Sequence, residues 1–347
     1  CTGSSPSWTC ATWADLKTLV EGAVADDDTI TISTSLTATS AITIDNGITI
    51  QGASACTLDG NGRATSCPIV ITSTITTDSG TRGINITLAA AKTTRITQLE
   101  FAGTNANFVG FISVTGCNAD TRRLRVDHIV SDELEQPLFE LDSVIGVVDH
   151  STITGPTVGQ QVFLGFVYGR YWDSCGVAKY GDKAWALPDS LGSEDFIYFE
   201  DNNLANLYPL SPLTMIDGHS GSRFVLRRND IQGGSIEGHG RECERCRSVR
   251  AYENYHNDFV GDDIRQTVMY MRGGTGVAWG NTIMGWLTAS FNLLNETSLT
   301  QINNPFGGDD GVNPFDTNSG SNPFVTGTAT SVGTLTVTDN TKTWTIN

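Results

Sequence analysis

Arginine is concentrated in one short stretch of this chain. Arg223, Arg227, Arg228, Arg241, Arg245, Arg247 and Arg250 are seven of its 21 basic residues. Carboxylates are interleaved with them: Asp217, Asp230, Glu237, Glu242, Glu244, Glu253, Asp262 and Asp263. Guanidiniums held beside a sugar carboxylate can neutralise it, acidify the neighbouring C–H and take its proton, the chemistry of β-elimination on an acidic polysaccharide. On this reading Arg223, Arg227 and Arg241 are the catalytic candidates. Asp217, Asp262 and Asp263 are candidate ligands for calcium, which takes oxygen donors. The competing reading is a surface ion-pair network, each pair worth roughly 0–1 kcal/mol. Clustered acids could instead serve an inverting hydrolase, with Asp201, Asp217 and Asp262 or Asp263 as the set.

Three further groupings could do chemistry. His239, Cys243 and Cys246, with His256 as a fourth ligand, are zinc-binding types, but a second Cys-x-x-Cys is absent and disulfides are the competing use. His219 sits in the Gly-rich segment Asp217-Gly218-His219-Ser220-Gly221. A Ser-His-Asp hydrolase would also need a strand-turn-helix elbow, which is not visible, so a turn is the favoured reading. The aromatic residues Tyr171, Trp172 and Trp185 could stack on sugar rings, against the alternative of a loop's own small core.

Composition narrows the class. The 347 residues carry a net charge of −17, with 39% hydrophobic and 17% charged residues. That is too apolar for a disordered chain and too acidic for phosphate-backbone binding, so nucleic acid is excluded as a partner. No apolar run approaches the roughly 20 residues of a membrane span. The eight cysteines are even in number. Cys1 and Cys10, and Cys56 and Cys67, lie close together, as in small disulfide-closed loops, and Cys117, Cys175, Cys243 and Cys246 complete the disulfide candidates. The chain reads as a processed, secreted or cell-surface product; a lipid-modified Cys1 is the alternative and would leave an odd thiol. Asn85 and Asn295 head N-glycosylation sequons.

The elements that must position these residues are mostly strands. Trp13, Leu16, Leu19 and Val20 have helical spacing, with Thr12 and Asp15 as cap and partner and Gly22 as the stop. Thereafter the period is two, as in Thr29-Ile30-Thr31-Ile32, Ile42-Thr43-Ile44 and Ile84-Asn85-Ile86-Thr87-Leu88. In the second half a column holding His128, His150, Asn202, Asn229, Asn257 and Asn281 recurs at coil-length intervals, usually with an apolar residue two places on. The copy at His150 runs one residue late, with Ile153. A repeat of short strands without helical periodicity predicts an all-β solenoid of roughly ten or more coils. In it stacked Asn residues bond from coil to coil, and the helix covers the open end.

At the Trp13–Val20 helix, the Asp27-Asp28-Thr29-Ile30-Thr31-Ile32 stretch and the coil Gly47-Ile48-Thr49-Ile50-Gln51-Gly52, the chain resembles the right-handed parallel β-helix proteins of the pectin-lyase-like superfamily. Within them it is similar to secreted bacterial β-helix proteins sharing stretches like Ile216-Asp217-Gly218-His219 and Arg272-Gly273-Gly274-Thr275-Gly276. The resemblance implies a single-stranded right-handed β-helix with an N-terminal capping helix. Asp127-His128 and Asp149-His150 resemble a short motif of pectate lyases, but the Arg-x-Pro-x-x-Arg segment expected beside it is absent. The organisation expected is a disulfide loop and cap helix over 1–28, the β-helix over 29–300 with a loop excursion at 155–193, and an extended Asn-Pro-Phe segment with terminal strands over 301–347. The function expected first is a non-enzymatic structural or adhesive subunit assembling end to end into fibres. The alternative is a secreted lyase or hydrolase of acidic polysaccharide, and a surface carbohydrate-binding protein is a third reading.

Overall fold

The structure is a computed structural model. It describes residues 1–75, 82–103, 111–116, 123–132, 137–155, 162–172, 184, 187–205, 214–239, 248–261 and 267–285, and the backbone alone of 289–293, 331–332 and 337–338. Its alternating segments assemble into three long sheets through which the chain cycles. Sheet I has eleven strands, from Thr2–Ser4 to Thr275–Trp279. Sheets II and III have nine each, from Leu36–Ala38 to Thr282–Met284 and from Ile42–Ile44 to Ala289–Leu293. One coil supplies one strand to each, as in Arg223–Arg227, Asp230–Gln232 and Ser235–Gly238. Successive strands pair in parallel, save the Thr2–Ser4 and Ser7–Cys10 ribbon at the start. This is a parallel β-helix.

The interior follows from the period of two. On sheet I, Ile30, Ile50, Ile96, Val126, Val148, Phe199 and Leu226 pair in one unbroken row. All are buried, each contributing roughly 1.5–3 kcal/mol relative to exposure. Helix α1 (Trp13–Val20) starts at Thr12, whose hydroxyl accepts from the Asp15 amide at 3.1 Å. Its apolar stripe of Trp13, Leu16, Leu19 and Val20 is buried in the same core as Leu36 and Ile42 of the first coil. The Trp13 indole donates to the Ser40 carbonyl at 2.8 Å.

From the coil that begins at Thr93 onward, the chain bends between sheets I and II at one residue with positive φ: Gln98, His128, His150, Asp201, Arg228, His256 and Gly280. This left-handed conformation is unfavourable for side-chain-bearing residues, and from Asp201 onward the asparagine after the bend offsets the cost. The Asn202 amide N–H donates to Asn229 Oδ1, that of Asn229 to Asn257 Oδ1, and that of Asn257 to Asn281 Oδ1, at 2.9–3.0 Å. The predicted ladder therefore forms for the four asparagines. His128 and His150 do not belong to it. They occupy the bend, one place earlier, and Ser151 stands in the ladder, its N–H donating to Asn202 Oδ1 at 3.0 Å. The late apolar residue Ile153 marked that true register.

Among the described residues two disulfides close, Cys1–Cys10 and Cys56–Cys67. The hairpin between Cys56 and Cys67 lies along the bends, with the Ala64 amide donating to the His150 carbonyl and Arg63 paired with Asp230. Cys117, Cys175, Cys243, Cys246 and Asn295 lie outside the described residues, as do the Asn-Pro-Phe repeats. Asn85 lies on strand Ile84–Thr87, its side-chain amide donating to the Ile42 carbonyl at 3.3 Å. The 155–193 stretch contains a sheet III strand, Val162–Tyr168. A register shift between Val162 and Gly165 breaks its alternation, which hid it in the sequence.

Candidate functional site

Sheet III carries a band of polar and aromatic side chains on its outer surface. In register across neighbouring coils stand Glu140, Phe166, Asp217, Glu237 and Tyr270. Two residues further along each strand is a second row: Asp142 pairs with Tyr168, and His219, His239 and Arg272 follow at the same place in the next three coils. Backbone bonds fix this row. The His219 amide donates to the Val167 carbonyl and the His239 amide to the Gly218 carbonyl, both at 2.8 Å.

Asp217 is the hub, with 5% of its surface exposed. One carboxylate oxygen lies 2.9 Å from His219 Nε2 and 3.1 Å from His239 Nδ1. The two imidazoles stack with centroids 4.0 Å apart, and the Tyr168 ring stacks on His219 at 5.2 Å. Arg170 lies over the Tyr168 ring at 4.0 Å and donates to Asp142 at 2.6 Å. Arg272 donates to Glu237 Oε1 at 2.6 Å.

Burial and bonding set the protonation states. Burial pushes the Asp217 carboxyl up, but hydrogen bonds from His219 and His239 outweigh this and hold it below its ordinary value. Burial lowers the His219 imidazole more than the Asp217 charge raises it, so it is neutral near pH 7. Burial raises the Tyr168 phenol, which stays protonated. With a carboxylate on Nε2, the neutral His219 carries its proton there and leaves Nδ1 as an acceptor. The row thus offers a neutral base, a phenolic acid and fixed guanidiniums within one patch.

The sequence-predicted residues are placed as follows. Arg223 is buried on sheet I, where it donates to the carbonyls of Ala184 and Asp189 and lies 5.0 Å from the Trp172 ring. Burial brings its guanidinium down to about 10. It fastens the excursion to the coil. Arg227, also on sheet I, pairs with Glu200 and donates to the Tyr255 hydroxyl. Arg241, Asp262, Asp263 and Trp185 lie outside the described residues. Trp172 is 4% exposed, packed with Ile145, Ala184 and Leu187 in a small core of the excursion. Tyr171 is half-buried, its amide donating to the Ser143 hydroxyl. Asp201 pairs with Arg228 at the bend between sheets I and II, whereas Asp217 lies on sheet III. The contacts of Asp217 are two nitrogens, not the oxygen set calcium takes. His239 meets Asp217 and His219, whereas His256 sits at a bend beside Trp279.

Sequence reasoning missed Glu140, Asp142, Arg170 and Arg272 as site residues, and it offered Tyr168 only as one of the aromatics of 163–199 that could stack on sugar. A signal existed: Asp217-Gly218-His219 and Glu237-Gly238-His239 are one pattern repeated in successive coils, now paired residue for residue up to the glycines.

The fold and this band define a parallel β-helix with a polar sheet face. No family model matches the chain, and no curated protein matches it. Among solved structures it is similar to the alginate lyase from Paenibacillus sp. str. FPU-7, with a TM-score of 0.50 and 13% identity over 83% of this chain and 99% of that one. At that identity the likeness speaks to fold alone.

Proposed function

We propose that the protein is a polysaccharide lyase that cleaves an acidic, uronate-containing polysaccharide by β-elimination on the outer face of sheet III. The observation that carries this is the row Tyr168, His219 and His239 with Asp217 beneath it and Arg170 and Arg272 flanking. The chemistry needs three things: neutralisation of the uronate carboxylate, removal of the proton on the adjacent carbon, and protonation of the leaving glycosidic oxygen. Arg170 and Arg272 supply positive charge. His219 Nδ1 takes the proton, its ring oriented by the Nε2–Asp217 bond. Tyr168, kept protonated by burial, donates to the leaving oxygen. Atoms balance: the C–H and C–O bonds break, a C=C bond forms, and one proton moves to each partner named.

The alginate lyase neighbour supports this reading over that of a non-enzymatic fibre subunit, which no observation favours; end-to-end self-assembly is likewise unsupported. The reading includes a right-handed, single-stranded coil capped by α1, and the partition 1–28, 29–300 and 301–347. The disulfides support an extracellular or cell-surface location, and no helix among the described residues is long and apolar enough to cross a membrane. It moves the catalytic assignment from Arg223, Arg227 and Arg241 to sheet III. The test is ultraviolet absorbance of unsaturated product from alginate, polymannuronate, polyguluronate and polygalacturonate. Product with at least one, lost in His219→Ala and Tyr168→Phe, is the expected result. No product from any of them, or undiminished product in both variants, overturns it.

A further inference from the structure

Three buried carboxylates on the outer faces of the coil invite comparison. Asp127 receives Arg95 and Arg125, and Asp142 receives Arg170. Asp217 is buried like them, yet among the described residues its side-chain partners are two imidazoles and no guanidinium or ammonium. A buried carboxylate without a permanent cation is costly, and the groups facing it are metal-ligand types. Asp217, His219 and His239 each present one ligand atom, and the three lie within 4.8 Å of one another. The two Asp217–imidazole separations, 2.9 and 3.1 Å, approach the roughly 3.3 Å between tetrahedral ligands at ordinary zinc–nitrogen and zinc–oxygen bond lengths.

The backbone beneath is rigid. Gly218 and Gly238 precede the histidines, and a Cβ there would sit 2.7 Å from Val249 Cγ2 and 2.5 Å from Met271 Cε. Both strand ends are therefore seated against the core; Asp217 lies on a strand, and His219 and His239 directly follow strand ends, each held by a 2.8 Å backbone bond to the neighbouring coil.

We propose that Asp217, His219 and His239 form a binding site for one divalent transition-metal ion of the zinc class, open toward the sheet III face. Two imidazoles and one carboxylate suit zinc, cobalt or nickel rather than calcium or magnesium. The ion would take the ring nitrogens that face Asp217, His219 Nε2 and His239 Nδ1, and a proton kept by the His219 ring then sits on Nδ1. This has a consequence that rests on the lyase reading. Metal binding protonates His219 Nδ1, the atom that reading uses as base, so the ion is an inhibitor of elimination.

The test is calorimetric titration of Zn²⁺ and Ca²⁺ into the chelator-stripped full chain. One zinc per chain is expected, with no heat from calcium. Asp217→Asn and His219→Ala should each weaken zinc by roughly 10–100-fold or more, with far-ultraviolet circular dichroism checking their fold. Should either variant fail to fold, Co²⁺ added to the parent chain decides the matter. Visible d–d bands of a nitrogen-ligated ion, abolished by equimolar zinc, support the site, and their absence overturns it. Zinc binding that is absent, or unchanged in both folded variants, also overturns it. If lyase activity is found, its loss should track zinc occupancy; loss at zinc far above occupancy would overturn the inhibitory link. If no activity is found, the isotherm still decides the metal site, and only the lyase reading fails.

Discussion

Asp127 on sheet I and Asp217 on sheet III are buried in opposite ways. On sheet I, Asp127 has no exposed surface, and Arg95 grips both its oxygens at 2.7 Å. Arg125, Thr97 and His128 donate to it as well. Burial alone would raise this carboxyl, but those bonds together hold it far below the ordinary range. On sheet III, Asp217 is nearly as buried but contacts two imidazoles instead of guanidiniums. A carboxylate saturated by guanidiniums has no remaining chemistry, whereas one that orients histidines beside a phenol does. Charge density in the sequence pointed to Arg223 and Arg227 on sheet I, whereas the proposed lyase reading places proton transfer on sheet III.

Activity should separate the two faces most widely. His219→Ala or Tyr168→Phe is expected to slow formation of unsaturated product by roughly 10²–10⁴-fold. Arg227→Ala on sheet I should change it only a few-fold. Initial rates on the polysaccharide that gives product, for variants with parental circular dichroism, test this, and the reverse order would break the comparison.

Stability should separate them in the other direction. Asp127→Asn strips the acceptor from beneath two arginines and is expected to cost about 3 kcal/mol, the low end for a broken buried pair, because both arginines reach solvent. Asp217→Asn removes a charge that no cation balances and should cost about 1 kcal/mol or less. Urea denaturation of both variants gives the two numbers, and a larger loss at Asp217 would show that the sheet III histidines serve the fold first.

Acid should sharpen the same contrast. Because the folded pKa of Asp127 lies below its unfolded value of ~4, its stabilisation is complete above that value and is lost as pH falls below it. The slope of unfolding free energy against pH in that acid window should therefore be shallower in Asp127→Asn than in the parent. Equal slopes would mean that other carboxylates set acid stability.

What the sequence revealed follows from how each feature is encoded. The asparagines of the ladder were legible because the side chain that defines the column is the one that bonds the next coil. His128 and His150 were misplaced by one because the bend tolerates several residue types and Ser151 holds the ladder in that coil. Tyr168, His219 and His239 were not legible as a site, because a β-helix brings together residues one coil apart in sequence and the irregular strand Val162–Tyr168 obscured the coil count. Arg223 and Arg227 were conspicuous because they are neighbours in sequence, yet one fastens a loop and the other pairs with Glu200.

The ladder gives an intermediate effect. Asn229→Ala leaves the buried amide of Asn202 without its acceptor and Asn257 Oδ1 without its side-chain donor, for an expected cost of about 1–3 kcal/mol. Its activity should match the parent, since no sheet III residue is touched. A variant of parental stability would mean that water replaces the ladder bond.

The smallest effect belongs to the bend one residue earlier. Arg228 makes two bonds to Asp201, at 2.8 and 2.9 Å, but is 46% exposed. An exposed pair is screened by water and salt, so a double-mutant cycle of Arg228→Ala and Asp201→Ala should give a coupling below about 1 kcal/mol. It should shrink further in high salt. Asp201 has positive φ, so its single variant also carries a backbone cost, which the cycle subtracts. A coupling of several kcal/mol that survives salt would place this bend among the buried networks of sheet I. The line between structural and functional charge would then have to be drawn by protonation chemistry alone, with exposure no longer a guide.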